Sequence, residues 1–252
     1  MSVRQQTLEE WFTDYQLRAI AKRQFHLPID VEVDVTRLVD RYSGRRPPMT
    51  ALVIKAAAML AARHPAANRA VLRTPVGTRV VQFEHGHVNM PVLMGHDGKE
   101  FLSAVVIRHA DRLSIGDIEG EIQRARQRPI EDLPILRLLA SERATFVAKT
   151  SLRFRHALAY SMPRLYERHG GGISVSSLVR SAPANVTVRM PSYGPTAFTI
   201  CPGSLRSDAG KSVLFVGIGY DHVALTGREA VRLADVFGSY LAEGDPALFG
   251  PS

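Results

Sequence analysis

Two short stretches of this 252-residue chain carry side chains able to move a proton or steady a charge. Near the C-terminal end, "YDHVALTG" (220–227) places Asp221 and His222 directly after the apolar run "SVLFVGIGY". An imidazole titrates near neutrality and therefore suits general-base work. Taken alone, the octapeptide fits an ordinary core histidine with a satisfied hydrogen bond better than it fits a site. "ISVSSLV" (173–179) offers the hydroxyls of Ser176 and Ser177, which alone read as strand serines facing solvent or backbone. His85 and His87 stand two apart on what reads as a strand, so both could face one side toward a metal. No third ligand follows at a recognisable spacing, so they read as surface or packing groups and no metal site is expected. His109, His156 and His169 lie in basic surroundings and suggest no site. Cys201, after "AFTI", reads as a small buried hydrophobe rather than a nucleophile. "NVT" (185–187) is a glycosylation sequon by letters only.

The elements that must position these groups follow from periodicity. A first helix is expected over residues 7–23. "HLPIDVEVDVTRL" alternates next, with Val31, Val33 and Val35 on one face and Glu32 and Asp34 on the other, the mark of a half-buried strand. After the loop "SGRRPPM", Thr50 is positioned to cap a helix whose Leu52, Ala56 and Met59 form a stripe widened by Val53, Ala57 and Leu60, with Pro65 ending it. "TRVVQFEHGHVNMPVLM" and "FLSAVVIRHA" read as two strands joined by the turn "GHDGKE". Ser114 and Asp117 form a capping box for a helix with Ile115, Ile118, Ile122 and Ala125 on one face. The first half therefore reads strand, helix, two strands, helix.

From about 129 to 169 the chain turns basic, amphipathic and mostly helical, with breaks at Pro134 and Pro163 and a "GGG" close at 170–172. Packing on the domain is the expectation there; contact with a membrane surface or a partner is the alternative. Strand-like "ISVSSLV", "NVTVRM", "TAFTIC" and "KSVLFVGIGY" follow, then a helix near 228–243 burying Ala230, Leu233, Phe237 and Leu241. A single α/β domain over 1–252 is expected, a mixed sheet with helices packed on it and a helical insertion at about 129–169.

Bulk properties narrow the function classes. Apolar residues at 45% and charged residues at 22% are globular composition. A single cysteine excludes a disulfide framework and a cysteine zinc site, and fits a cytoplasmic location. Neither a secretion signal nor an 18-residue apolar run is present, so no transmembrane segment is expected. The formal charge of +8 welcomes phosphates. It is spread along the chain with no nucleic-acid motif, so no nucleic-acid partner is expected.

Read in order, "LRAIAKR", "DVEVDVTRL", "MTALVIKAAAMLAARHPAAN", "HVNMPVLM", "SAVVIRHADRLSIGDIEGEI", "GGISVSSL" and "YDHVALTGREAVRL" resemble the catalytic domain of the 2-oxo acid dehydrogenase dihydrolipoyl acyltransferases, which shares its fold with chloramphenicol acetyltransferase. The resemblance spans roughly residues 15–243, interrupted mainly by 129–169. It implies a two-layer α/β fold, a homotrimer with its active site between subunits, and a coenzyme A thioester as co-substrate. His222 matches the histidine of the family's HxxxDG signature, so the resemblance implies a general base there. Ser176 matches the serine or threonine that supplies the oxyanion hydrogen bond, with Ser177 beside it. Asp221 is implied as an orienting or structural carboxylate, and Gly227 matches the signature's glycine.

The departures are specific. Thr226 stands where the signature has aspartate, so the usual ion pair lacks its carboxylate and Arg18 is left as its orphan. Val223 replaces the usual arginine and Val179 the glycine after "SSL". No lipoyl domain or lipoyl attachment site is expected before residue 15, which resembles the stand-alone members. The expected activity is acyl transfer to a small-molecule hydroxyl, amine or thiol. A separate carrier protein as donor stays open. The alternative is a catalytically decayed trimeric scaffold or complex subunit, motivated by Thr226, Val223 and Val179.

Overall fold

The computed structural model describes residues 26–74, 77–96, 99–129, 162–179, 181–183 and 195–249, together with 150, 151, 154, 157, 158, 186, 188 and 189. The expected helix at 7–23, Arg18 and most of the helical insertion lie outside these residues.

The elements run in the order β1 (His26–Asp34), α1 (Thr36–Asp40), α2 (Met49–Arg63), β2 (Arg69–Thr74), β3 (Gly77–Gln82), β4 (Val88–His96), β5 (Lys99–Ile107), α3 (Ile115–Gln127), α4 (Pro163–His169), β6 (Ile173–Val175), β7 (Phe198–Asp208), β8 (Lys211–Asp221) and α5 (Gly227–Glu243). Six strands form one mixed sheet in the order β1-β8-β7-β6-β4-β5, and β2 pairs with β3 in a separate ribbon. β6 is parallel to both of its neighbours, while the β7–β8, β1–β8 and β4–β5 pairs are antiparallel. This is the α/β architecture of a mixed sheet carrying packed helices.

Helix α2 lies at the centre of the core. Its residues 51–61 are all buried, and Leu52, Ala56, Met59, Val53, Ala57 and Leu60 share one apolar cluster with Val33, Val175, Ile200, Val216, Ile218 and Phe237. A helix buried on every side must also hide its polar members. Lys55, with no exposure, donates its ammonium to the carbonyls of Asp111 and Leu113 at 2.6 and 2.8 Å. That satisfies two of its three donors, and burial lowers its pKa.

Several sequence expectations are met. Val33 and Val35 are buried while Glu32 and Asp34 face out. The Ser114–Asp117 capping box is formed, with Asp117 N–H donating to Ser114 Oγ at 3.1 Å and Ser114 Oγ donating back to Asp117 Oδ2 at 2.7 Å. Helix α5 buries Ala230, Leu233, Phe237 and Leu241.

Others are corrected. Thr50 does not cap α2: Pro48 holds the N-cap position without a side-chain bond, and Thr50 Oγ1 is engaged elsewhere. The run read as one strand from 78 to 94 is two, β3 and β4, broken at 83–87, and β2 was not expected at all. His85 and His87 therefore sit in that break, not on a strand. Pro163 opens α4 as its first residue, where a missing N–H costs nothing. "ISVSSLV" is a strand only over Ile173–Val175, and residues 186, 188 and 189 of "NVTVRM" carry no strand. Val188 backbone instead lies against Gly217, where a β-carbon would meet its carbonyl oxygen at 2.6 Å.

Candidate active site

Ser176 extends β6 by one residue, its N–H donating to the Ile200 carbonyl at 2.9 Å. Strand alternation turns its side chain to the face opposite Ile173 and Val175, which enter the core. Ser176 is 7% exposed, and Ser174 on the same face shares a hydrogen bond with Thr196 at 3.1 Å. Ser177 shares its hydroxyl with Thr50 at 2.8 Å. This bond, spanning 127 residues, ties the segment after β6 to the first turn of α2. Thr50 also lines a small pocket with Gln123 and Arg126.

His222 lies just past the end of β8, in a tight turn, and is exposed. Asp221, the last strand residue, is fully buried. Its Oδ1 accepts the Val223 N–H at 2.9 Å, and its carbonyl accepts the N–H groups of Ala224 and Leu225, both at 3.0 Å. Asp221 thus folds the turn that presents His222, as an Asx-type motif does. The Tyr220 ring lies 6.0 Å from the His222 ring. Val223 is 49% exposed beside it.

Thr226 ends the turn as N-cap of α5, and Gly227 is that helix's first residue. The Thr226 hydroxyl accepts the Glu229 N–H at 3.3 Å, and Glu229 Oε2 accepts the Thr226 N–H and hydroxyl at 2.8 Å. Those bonds lower the Glu229 pKa, with the Arg69 charge adding to them. Glu229 thus brings a carboxylate to the end of this turn, bonded to Thr226. Sequence reasoning also passed over Arg69, whose Nη1 donates to the Ala224 carbonyl at 2.8 Å across 155 residues. The signal for Glu229 was present, because "TGRE" is a capping box by spacing. None pointed to Arg69.

The structure does not bring Ser176 and His222 together within one chain. Val175 pairs with Ile200, Ile200 with Ile218, and Tyr220 with Phe198 at the other end. Ser176 thus continues β6 toward one end of the sheet, and His222 leaves β8 at the opposite end, two strands across. At strand rise and spacing their Cα atoms stand about 15 Å apart or more.

The other histidines form a separate cluster. The rings of His85, His87 and His109 lie with centroids 4.6 to 5.5 Å apart, and His87 Nδ1 accepts the His109 N–H at 3.0 Å. Burial, then the neighbouring His109 and Arg108, push the His87 pKa down to about 4. Among the described residues no group of three histidine, cysteine or carboxylate side chains is arranged to hold a metal. Cys201 is buried, and burial pushes its thiol up to about 11, far from a thiolate nucleophile. No described helix is long and apolar enough to cross a membrane.

No family model matches the chain, and no curated protein matches it by sequence. Solved structures do match in fold. The dihydrolipoamide acetyltransferase of Azotobacter vinelandii, studied for the catalytic roles of a serine, a histidine and an asparagine four residues after that histidine, superposes with a TM-score of 0.68 at 17% identity, covering 99% of this chain and 94% of that one. The cubic core of the pyruvate dehydrogenase multienzyme complex gives the same 0.68, 17%, 99% and 94%. A chloramphenicol acetyltransferase gives 0.50 at 14% identity, over 95% of this chain and 98% of that one. The sheet and helices described above are thus arranged in the fold shared by dihydrolipoamide acetyltransferase catalytic domains and chloramphenicol acetyltransferase.

Proposed function

We propose that the chain is an acyltransferase working between two copies of itself, with His222 of one subunit facing Ser176 of the partner subunit. The observation that carries this reading is the separation of the two groups. One is an exposed imidazole and the other a nearly buried hydroxyl, and they leave the sheet at opposite ends, so each needs a second copy to complete a site. The Azotobacter structure supports the choice of groups: it too has a serine upstream of a histidine studied for catalysis, and its asparagine, four residues after that histidine, stands where this chain has Thr226.

The donor is a thioester, with coenzyme A the expected carrier and the +8 charge suited to its phosphates. His222 takes the proton of the acceptor's hydroxyl, amine or thiol as that atom bonds to the thioester carbon. The carbonyl oxygen becomes an oxyanion and accepts a hydrogen bond from Ser176 of the partner subunit. Collapse restores the carbonyl and breaks the carbon–sulfur bond, and the imidazolium returns its proton to the departing thiolate. Beside that serine, the Thr50–Ser177 pair fixes the local backbone, so the donor is aimed before charge develops. A small-molecule acceptor in a reducing, cytoplasmic setting and a trimeric assembly complete the reading, and a carrier-bound acyl donor is a variant of it.

Acetyl transfer from acetyl-coenzyme A to a panel of small thiols, alcohols and amines tests the reading, alongside light scattering for a trimer. His222→Ala should lower the rate about 10²–10⁴-fold, and Ser176→Ala about 10²-fold or more. Equal background rates for wild type and both variants across the panel would instead favour a scaffold that has kept the fold, which the diversion of Thr226 to helix capping makes a specific alternative.

A further inference from the structure

The turn that carries His222 is gripped by a residue from the small ribbon. Inside the turn, Asp221 accounts for the N–H groups of Val223, Ala224 and Leu225. The carbonyl of Ala224 points out of it and is met by the Arg69 guanidinium at 2.8 Å. A charged donor makes this bond stronger than a neutral one would. The same charge bears on Glu229, whose carboxylate holds the far end of the turn through Thr226.

Arg69 is itself anchored. Its carbonyl accepts the Ala197 N–H at 2.8 Å, and the Ala197 carbonyl accepts the Asp221 N–H at 2.9 Å. The side chain of Arg69 therefore reaches the end of the turn while its backbone, through Ala197, reaches the start. Preceding it, Asn68 is fully buried, and its amide donates to the carbonyls of Phe83 and His85 at 3.0 and 2.8 Å. Gly172 presses on the same backbone so closely that a β-carbon there would stand 2.5 Å from the Arg69 nitrogen. An arm rooted this firmly restricts the turn far more than a surface arginine would.

We propose that Arg69 is a positioning residue for His222, holding the 221–226 turn so that an exposed imidazole is presented in one direction. The proposal rests on the acyltransferase reading for its catalytic consequence and on the hydrogen bonds alone for its structural one. An imidazole on a loose turn spends little time within reach of the proton it must take, and small displacements cost large factors in rate.

The test uses the full chain with Arg69→Met, which keeps the apolar stem, and Arg69→Lys, which keeps the charge. Amide hydrogen exchange is read residue by residue, with kcat and KM for acetyl transfer alongside. In the Met variant, exchange at Val223, Ala224 and Leu225 should quicken about tenfold or more while Ile218 and Phe237 hold their wild-type rates. kcat should fall about 10–100-fold with KM for the acyl donor within about twofold, and Lys should recover part of both losses. Unchanged exchange at 223–225 overturns the proposal. So does a loss of kcat no larger than the loss of folded protein. If wild type transfers no acyl group, the acyltransferase reading fails, and the exchange rates still decide whether Arg69 holds the turn. Should the Met variant not fold, Arg69→Gln, with a shorter neutral amide, carries the same readouts.

Discussion

The two ends of the candidate site are built in opposite ways. Ser176 leaves a strand whose three residues are all buried, and its neighbour Ser177 is bonded to the first turn of the most buried of the described helices. His222 stands in solvent on a turn secured by Asp221, Arg69 and the Thr226–Glu229 box. A donor that must already point at a developing charge is best placed in a rigid, nearly dry setting. A base that must meet an incoming acceptor is placed where it can be reached. The contrast also assigns rigidity: the serine end borrows it from the core, and the histidine end makes it from a few directed hydrogen bonds.

Changes at the junction of the two regions should have the largest effect. Gly172, at the start of the segment leading to Ser176, lies against Asn68 and Arg69, and a β-carbon there would stand 2.3 Å from the Asn68 carbonyl carbon. Gly172→Ala should cost several kcal/mol, about 3 or more, because only backbone can yield. Urea unfolding would show it as a lost or strongly lowered transition midpoint, and a near-wild-type midpoint would mean the junction is looser than described. His222→Ala should do the reverse. The side chain is exposed, so the unfolding free energy should stay within about 0.5 kcal/mol of wild type while acyl transfer collapses.

Acid should weaken the fold through His87, outside the site. Its pKa is about 4 in the folded chain against an ordinary 6.5, so the unfolded chain takes up the proton first as pH falls. Stability from this group is complete above about 6.5, declines between 6.5 and 4, and is gone below that, a change of up to about 3 kcal/mol. Unfolding midpoints measured across that window for wild type and His87→Asn should diverge, the variant being flatter. Thr226→Ala should have the smallest effect, about 1 kcal/mol from the lost cap of α5, and Thr226→Asp should largely restore it. A Thr226→Ala variant as stable as wild type would show that Glu229 holds the turn without the cap.

How much of this was legible in the sequence depended on whether burial left a period. β1, α3 and α5 each bury one face, and their alternation, capping box and stripe could be read directly. β2 buries Ala70, Val71 and Leu72 in succession while β3 is exposed along nearly its whole length. Neither has a two-residue period, so the ribbon was missed and Arg69 with it. Thr50 looked like a cap because hydroxyls before apolar runs usually are; its partner, 127 residues away, leaves no local trace. Ser176 and His222 could be proposed from the chain, but not that they leave the sheet at opposite ends. That follows from strand order and direction.

The proposed acyltransferase divides one complete site between two subunits, one giving the histidine and the other the serine. That division is tested most directly by unfolding His222→Ala and Ser176→Ala together, refolding them as mixed oligomers, and assaying acetyl transfer. Each variant alone should be nearly inactive, and an equal mixture should recover about one quarter of wild-type activity, since that share of random pairings joins an intact histidine to an intact serine. A mixture no more active than the separate variants, from subunits shown to have exchanged, would mean that no site is shared between subunits.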